Sequence, residues 1–142
     1  MTDHAFKDKV VLIAGGAKNL GGLISREVAK QGANVVVHYN SDSSRTDAEE
    51  TVSAVKELGG EAYMTQGDLT RPANVEALFL EAKDKFGGID IAINTVGKVL
   101  RKPIVETSED EYDAMFDINA KSAYFFIKEA GKHLNDNGKI VT

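Results

Sequence analysis

A doubly wound α/β domain, with a parallel sheet and helices on both faces, is the fold class this sequence predicts. Three observations carry the prediction. Short β-branched runs recur along the chain, amphipathic helical patterns lie between them, and glycine stands where each helical pattern ends. Regular alternation of this kind buries a parallel sheet between helical layers through right-handed crossovers.

The first run, Val10–Ala14, is wholly apolar, as a strand buried on both faces requires. Leu20, Leu23, Ile24 and Val28 then share one face of a first helix, which stops at Gly32. Asn34–Tyr39 reads as the second strand, and Ala48, Val52 and Val55 as the apolar face of a second helix ending at Gly59-Gly60. Glu61–Thr65 is the third strand. Val75, Leu78, Phe79, Ala82 and Phe86 make the clearest helical stripe, closed by Gly87-Gly88, before a fourth strand at Ile89–Asn94. Ser108-Glu-Asp-Glu111 is a capping box, in which each side chain takes the other residue's backbone N–H, and it opens a long helix to about Leu134. Gly138 and a fifth strand, Lys139–Thr142, follow.

Within the long helix, Tyr124-Phe125-Phe126-Ile127 wraps most of the circumference. One face can meet the sheet, and the other needs a second cover, either a neighbouring element or another subunit. Thr142 falls inside the fifth strand. The expectation is therefore one domain over residues 1–142, truncated within strand five, with its C-terminal part absent.

Composition narrows the function. The 142 residues are 42% hydrophobic, enough for one core, and too apolar for disorder. There is no cysteine, which removes disulfide scaffolds, thiolate metal sites and cysteine nucleophiles. Seventeen basic against 22 acidic residues leave a net charge of −5, so no basic field is offered to nucleic acid or anionic lipid. No run reaches the ~20 apolar residues of a membrane helix. The start, Met1 to Lys9, is polar and mixed in sign, unlike a signal peptide, so the expected compartment is the cytoplasm. His4, His38 and His133 have no metal-ligand spacing, and no metal is expected; His38 reads as a pocket wall.

Chemistry concentrates in the turn after the first strand, Ala14-Gly15-Gly16-Ala17-Lys18-Asn19-Leu20-Gly21-Gly22. A glycine there allows a tight turn, the helix start offers unbonded N–H groups and a positive dipole end to an anion, and a last glycine lets helix pack on strand. The strict G-x-G-x-x-G spacing is absent, and no Gly-Lys-Ser/Thr completes a P-loop.

Gly15-x-x-x-Asn19-x-Gly21 resembles the Thr-Gly-x-x-x-Gly-x-Gly fingerprint of the short-chain dehydrogenase/reductases, with Ala14 for the threonine and Asn19 for the middle glycine. Asparagine best tolerates left-handed backbone among non-glycine residues. Three further similarities follow in the family's order: Asp68 in Gly67-Asp68-Leu69-Thr70, Asn94-Thr95-Val96-Gly97 beside the family's Asn-Asn-Ala-Gly, and Asn119 in the long helix. The resemblance covers essentially the whole chain. It implies a Rossmann-type fold and reversible hydride transfer between a nicotinamide cofactor and a carbonyl or alcohol substrate. Gly15, Asn19, Leu20 and Gly21 would hold pyrophosphate, Asp68 and Leu69 adenine, and Asn94, Val96 and Gly97 the ribose and nicotinamide half. Asn119 would hold a water in the proton relay, although structural bracing would suffice to explain a buried asparagine.

The second strand ends in Val37-His38-Tyr39-Asn40-Ser41, with no acid to take ribose hydroxyls and repel a 2′-phosphate. With Lys18 in the loop, Tyr39, Asn40 and Ser41 at the tip and Arg45 nearby, NADP(H) is favoured and NAD(H) remains possible.

Tyr124-Phe125-Phe126-Ile127-Lys128 spells the family's catalytic Tyr-x-x-x-Lys but precedes the fifth strand, where the family's pair follows it. On a regular helix Tyr124 also lies about 140° from Asn119. It is read as core or interface. The serine and the true tyrosine–lysine pair would lie beyond Thr142. Thr95–Thr107 would wall the substrate, with Lys98, Leu100 and Arg101 facing it, and a homo-oligomer, dimer or homotetramer, would form through the long helix. The alternatives are a non-catalytic dinucleotide-sensing regulator of the same fold and a methyltransferase-like enzyme; Tyr39-Asn40, where the latter needs an acid, argues against it.

Overall fold

The computed structural model describes residues 4–142; Met1–Asp3, at the head of the polar N-terminal stretch, lie outside the described residues. Five parallel strands form one sheet, β1 (Val10–Ala14), β2 (Asn34–Tyr39), β3 (Ala62–Gln66), β4 (Ile91–Asn94) and β5 (Lys139–Val141), in the order β3-β2-β1-β4-β5. Leu12 of β1 stands beside Val36 of β2 and Ala92 of β4. The order reverses between β1 and β4, so a crevice opens at their carboxyl ends.

Helices α1 (Asn19–Lys30) and α2 (Arg45–Glu57) cover one face, and α3 (Pro72–Phe86) and α5 (Ser122–His133) the other. Alternation along β1 separates two cores. Val11 and Ile13 pack with Val28, Ala29, Ala48 and Val55, while Leu12 and Ala14 pack with Val75, Phe79 and Phe126. The rings of Phe79 and Phe126 meet edge to face at 5.1 Å, the arrangement aromatic quadrupoles favour.

Three expectations are corrected. Leu20 and Leu23 do not share the buried face of α1: they are 62% and 56% exposed, and Gly21, Gly22, Ser25, Val28 and Ala29 are buried instead. Glycines let the helix axis approach the sheet, so the small residues face inward. At the end of α5 the left-handed residue is Asn137 (φ +63°), not Gly138. The long helix is continuous but not regular. It runs as α4 (Glu109–Phe116), a π turn over Asp117–Lys121, and α5. The cause is local: the Asn119 side-chain amide donates to the Met115 carbonyl at 3.0 Å and the Ser122 hydroxyl to the Ile118 carbonyl at 2.6 Å, taking acceptors that backbone N–H groups of an α-helix would use.

Candidate functional site

A cleft of about 330 Å³ opens at the crevice between β1 and β4. Gly15, Lys18, Asn19, Leu20, Gly21, His38, Tyr39, Asn40, Val96 and Gly97 line it, all named from the sequence, as were Thr95 and Lys98, expected in the substrate wall. Ala17, Ser44 and Ile118 join them.

The turn entering α1 is shaped for a close-lying group. Gly15 has φ +73° and Asn19 φ +52°, so asparagine occupies the left-handed conformation in which the fingerprint uses glycine. A Cβ on Gly21 would lie 1.9 Å from the Gly15 carbonyl oxygen, so only glycine fits there. The first helical bond of α1 runs from the Gly22 N–H to the Lys18 carbonyl at 3.0 Å. The N–H groups just before it precede any helical carbonyl, Lys18 supplies no side-chain cap, and no acid stands in the first turn. These donors, the dipole end and the exposed Lys18 fit a pyrophosphate.

Side chains behind the turn fasten its carbonyls. Thr95 Oγ1 donates to the Ala14 carbonyl at 2.8 Å and approaches the Gly15 carbonyl at 3.2 Å. Ser25 Oγ lies 2.9 Å from the carbonyls of both Gly16 and Gly21, and Thr51 Oγ1 donates to the Ala17 carbonyl at 2.6 Å. His38, 2% exposed, accepts the Gly15 N–H at Nδ1 (3.0 Å) and donates from Nε2 to the Gly67 carbonyl (2.7 Å). Sequence reasoning missed the parts played by Ser25, Thr51 and Thr95. The signal was present for two of them: Ser25 and Thr51 are hydroxyls on otherwise apolar helix faces, and both are fully buried.

Other expected residues sit outside the lining. Asp68 Oδ1 accepts the Thr70 N–H (3.0 Å) and hydroxyl (2.7 Å), chiefly this hydroxyl holding the carboxyl below its usual range. Leu69 is buried in the core beside Val75. Asn94 Oδ1 accepts the Val96 N–H at 3.0 Å, shaping the strand end. The Ser41 and Ser43 hydroxyls bond each other at 2.9 Å, and Arg45 is paired with Glu49 at 3.1 Å. Asn119 is exposed, not buried as expected, because it lies on the outer side of the π turn; it accepts the Lys98 N–H (3.0 Å) and donates to the Lys98 carbonyl (2.8 Å), so its amide braces the segment after β4. The π turn removes the regular-helix premise for setting Tyr124 aside. Tyr124 is nonetheless 67% exposed and absent from the cleft lining. Among the described residues no group of three or more His, Asp or Glu side chains comes together as a metal set, and no helix is long and apolar enough to cross a membrane.

The fold and the glycine-rich turn at its switch point define the class, a doubly wound domain built to receive a nucleotide. A family model described as enoyl-(acyl carrier protein) reductase matches residues 15–142. The hydroxynaphthalene reductase-like protein Arp2 of Metarhizium brunneum is 36% identical over 140 residues, 99% of this chain and 52% of that protein. The short chain dehydrogenase mdpC of Emericella nidulans is 34% identical over 143 residues, 99% of this chain and 53% of its own length. A crystal structure from Burkholderia cenocepacia, of a protein assigned as a dehydrogenase and with NADP bound, is 62% identical with a TM-score of 0.92, covering 96% of this chain and 53% of that one. The chain belongs to the short-chain dehydrogenase/reductase family. It spans about half the length of the curated relatives it matches.

Proposed function

We propose that the protein carrying this chain is an NADP(H)-dependent oxidoreductase that moves a hydride reversibly between the nicotinamide and a carbonyl or alcohol carbon. The observation that carries this is the uncapped start of α1, pressed by Gly21 against the Gly15 carbonyl. The bound NADP of the Burkholderia cenocepacia protein, 62% identical, supports it.

Each residue's part follows from its place. The turn from Gly15 to Gly21 takes the pyrophosphate. Lys18 and Asn40, both exposed in the cleft, take the 2′-phosphate, with Ser41 beside them and Tyr39 presenting the strand end. Arg45 is spent on Glu49. Asp68 and the backbone of Leu69 border adenine; Asn94, Val96 and Gly97 border the ribose and nicotinamide half. The Asn119 amide donates to both Lys98 and Met115, so a relay water held by this residue would rest mainly on its main-chain carbonyl. The nicotinamide supplies the hydride when bound; this chain binds and orients it, where positioning can account for much of the acceleration.

Calorimetry on the full-length protein with NADPH and NADH tests the reading. NADPH binds more tightly, and Lys18→Ala narrows the preference by roughly fivefold, about 1 kcal/mol for one exposed ion pair. A tenfold preference for NADH, or no heat with either, overturns it.

A further inference from the structure

One buried titratable group touches the turn yet has no part in the chemistry above. His38 sits at the end of β2 between the phosphate turn and the end of β3, and both ring nitrogens are engaged. Its partners leave no choice of tautomer. The Gly15 N–H can only donate, so Nδ1 must carry a lone pair; the Gly67 carbonyl can only accept, so Nε2 must carry the proton. The main chain repeats the link, the Gly16 N–H meeting the His38 carbonyl at 2.9 Å.

We propose that His38, as the neutral Nε2–H imidazole, is a positioning residue that holds the phosphate turn to the end of β3. A second proton, at Nδ1, would set donor against donor at Gly15 and release the turn together with the dinucleotide. The inference rests on the cofactor reading above and deepens it.

The surroundings favour the neutral ring. Burial lowers its proton affinity, and the bond to the Gly67 carbonyl opposes that only in part. Lys18 at the start of α1 and Lys98 after β4 line the cleft that His38 borders, and Glu81 on α3 lines the small cavity on its other side. None of them contributes to the shift, and Glu81 is occupied by the Thr65 hydroxyl at 2.9 Å. Above the ordinary histidine value of about 6.5 both folded and unfolded chains carry the ring neutral, and His38 adds no pH dependence. Below it the unfolded chain takes a proton that the folded chain refuses, so stability falls with pH until the lowered folded value is reached.

The test compares the full-length wild type with His38→Asn, which keeps an acceptor for the Gly15 N–H, and His38→Leu, which keeps none. At pH 8, NADPH binds wild type and His38→Asn within threefold, and His38→Leu at least tenfold more weakly. Ring 15N shifts in the free wild-type protein report the Nε2–H tautomer, still neutral at pH 6. On acidification below pH 6.5 the unfolding constant of the wild type rises more steeply than that of His38→Asn, by up to about tenfold per pH unit. The NADPH affinity of the wild type falls with an extra acid limb that His38→Asn lacks. A limb common to both proteins belongs to the 2′-phosphate and counts against the proposal, as do a charged ring at pH 6, tighter binding in acid, or unchanged binding by His38→Leu. Should His38→Leu not fold, the ring shifts and the comparison with His38→Asn decide. Should wild type bind neither nucleotide, the cofactor reading falls alone, while the tautomer and the acid stability still judge the strut.

Discussion

Gly21 shows how strictly one position can be specified. Its missing side chain is what allows α1 to lie on the turn, because a Cβ would be placed 1.9 Å from the Gly15 carbonyl oxygen and 2.8 Å from Thr95 Oγ1. Neither neighbour can move cheaply: one is backbone, and the other is tied to the Ala14 carbonyl. Gly21→Ala is therefore expected to cost about 1–3 kcal/mol of stability. A displacement of the turn worth about 1.4 kcal/mol would weaken NADPH binding roughly tenfold. Denaturant unfolding and NADPH titration of the full-length variant measure the two losses separately. An alanine tolerated in both would mean that the turn is not held as described.

At the next level up, the helix after β4 is assembled from two devices. The capping box at the start of α4 is complete, with the Glu111 N–H reaching Ser108 Oγ at 3.2 Å and the Ser108 N–H reaching Glu111 Oε1 at 3.2 Å. Lys102, 2.8 Å from the same carboxylate, is the main reason it is held below its usual range, with Ser108 adding to the effect. A depressed carboxyl contributes stability above its unfolded value and loses it as pH falls through the folded value, so the box weakens in acid. Ser108→Ala should cost about 1 kcal/mol, read as a lower unfolding midpoint at neutral pH. The π turn that follows is the second device, and Asn119 at its centre reaches back to both polar groups of Lys98. Element and loop are thereby fixed together, and a Cβ at Gly97 would press on Asn119 Oδ1 at 3.0 Å.

In the domain as a whole, α4 and α5 leave several large apolar side chains uncovered. Phe126 turns into the core beside Phe79, while Tyr112, Phe116, Tyr124 and Ile127 are 54%, 54%, 67% and 43% exposed on α4 and α5. Tyr112 and Phe116 already stack at 4.4 Å, forming a ridge instead of isolated apolar spots. Apolar clusters of this kind mark interaction surfaces. A second copy of the protein is the proposed cover, in a dimer or homotetramer. Phe116→Glu with Tyr124→Glu in the full-length protein should shift sedimentation toward monomer. An unchanged sedimentation coefficient would assign the face to another part of the same polypeptide.

Periodicity and turn chemistry made the order of strands and helices legible, because burial of a parallel sheet imposes continuous apolar runs and each helix imposes a stripe. The same logic located the glycine-rich turn, where Gly15, Asn19 and Gly21 answer to local backbone geometry. The partners that fasten it were less legible. Ser25 and Thr51 stood out only as hydroxyls on apolar faces, while Thr95 and His38 reach the turn from other strands' ends, Thr95 Oγ1 and the Ala14 carbonyl being separated by 81 positions. Leu20 and Leu23 defeated the stripe on α1 because close approach, not hydrophobicity, chose its buried face. The brace from the π turn to the loop was invisible for a related reason: Asn119 bonds Lys98, a residue brought near only when the chain has folded. Local patterns record what a residue demands of its neighbours in sequence; hydrogen bonds between distant segments exist only once the sheet has set those segments side by side.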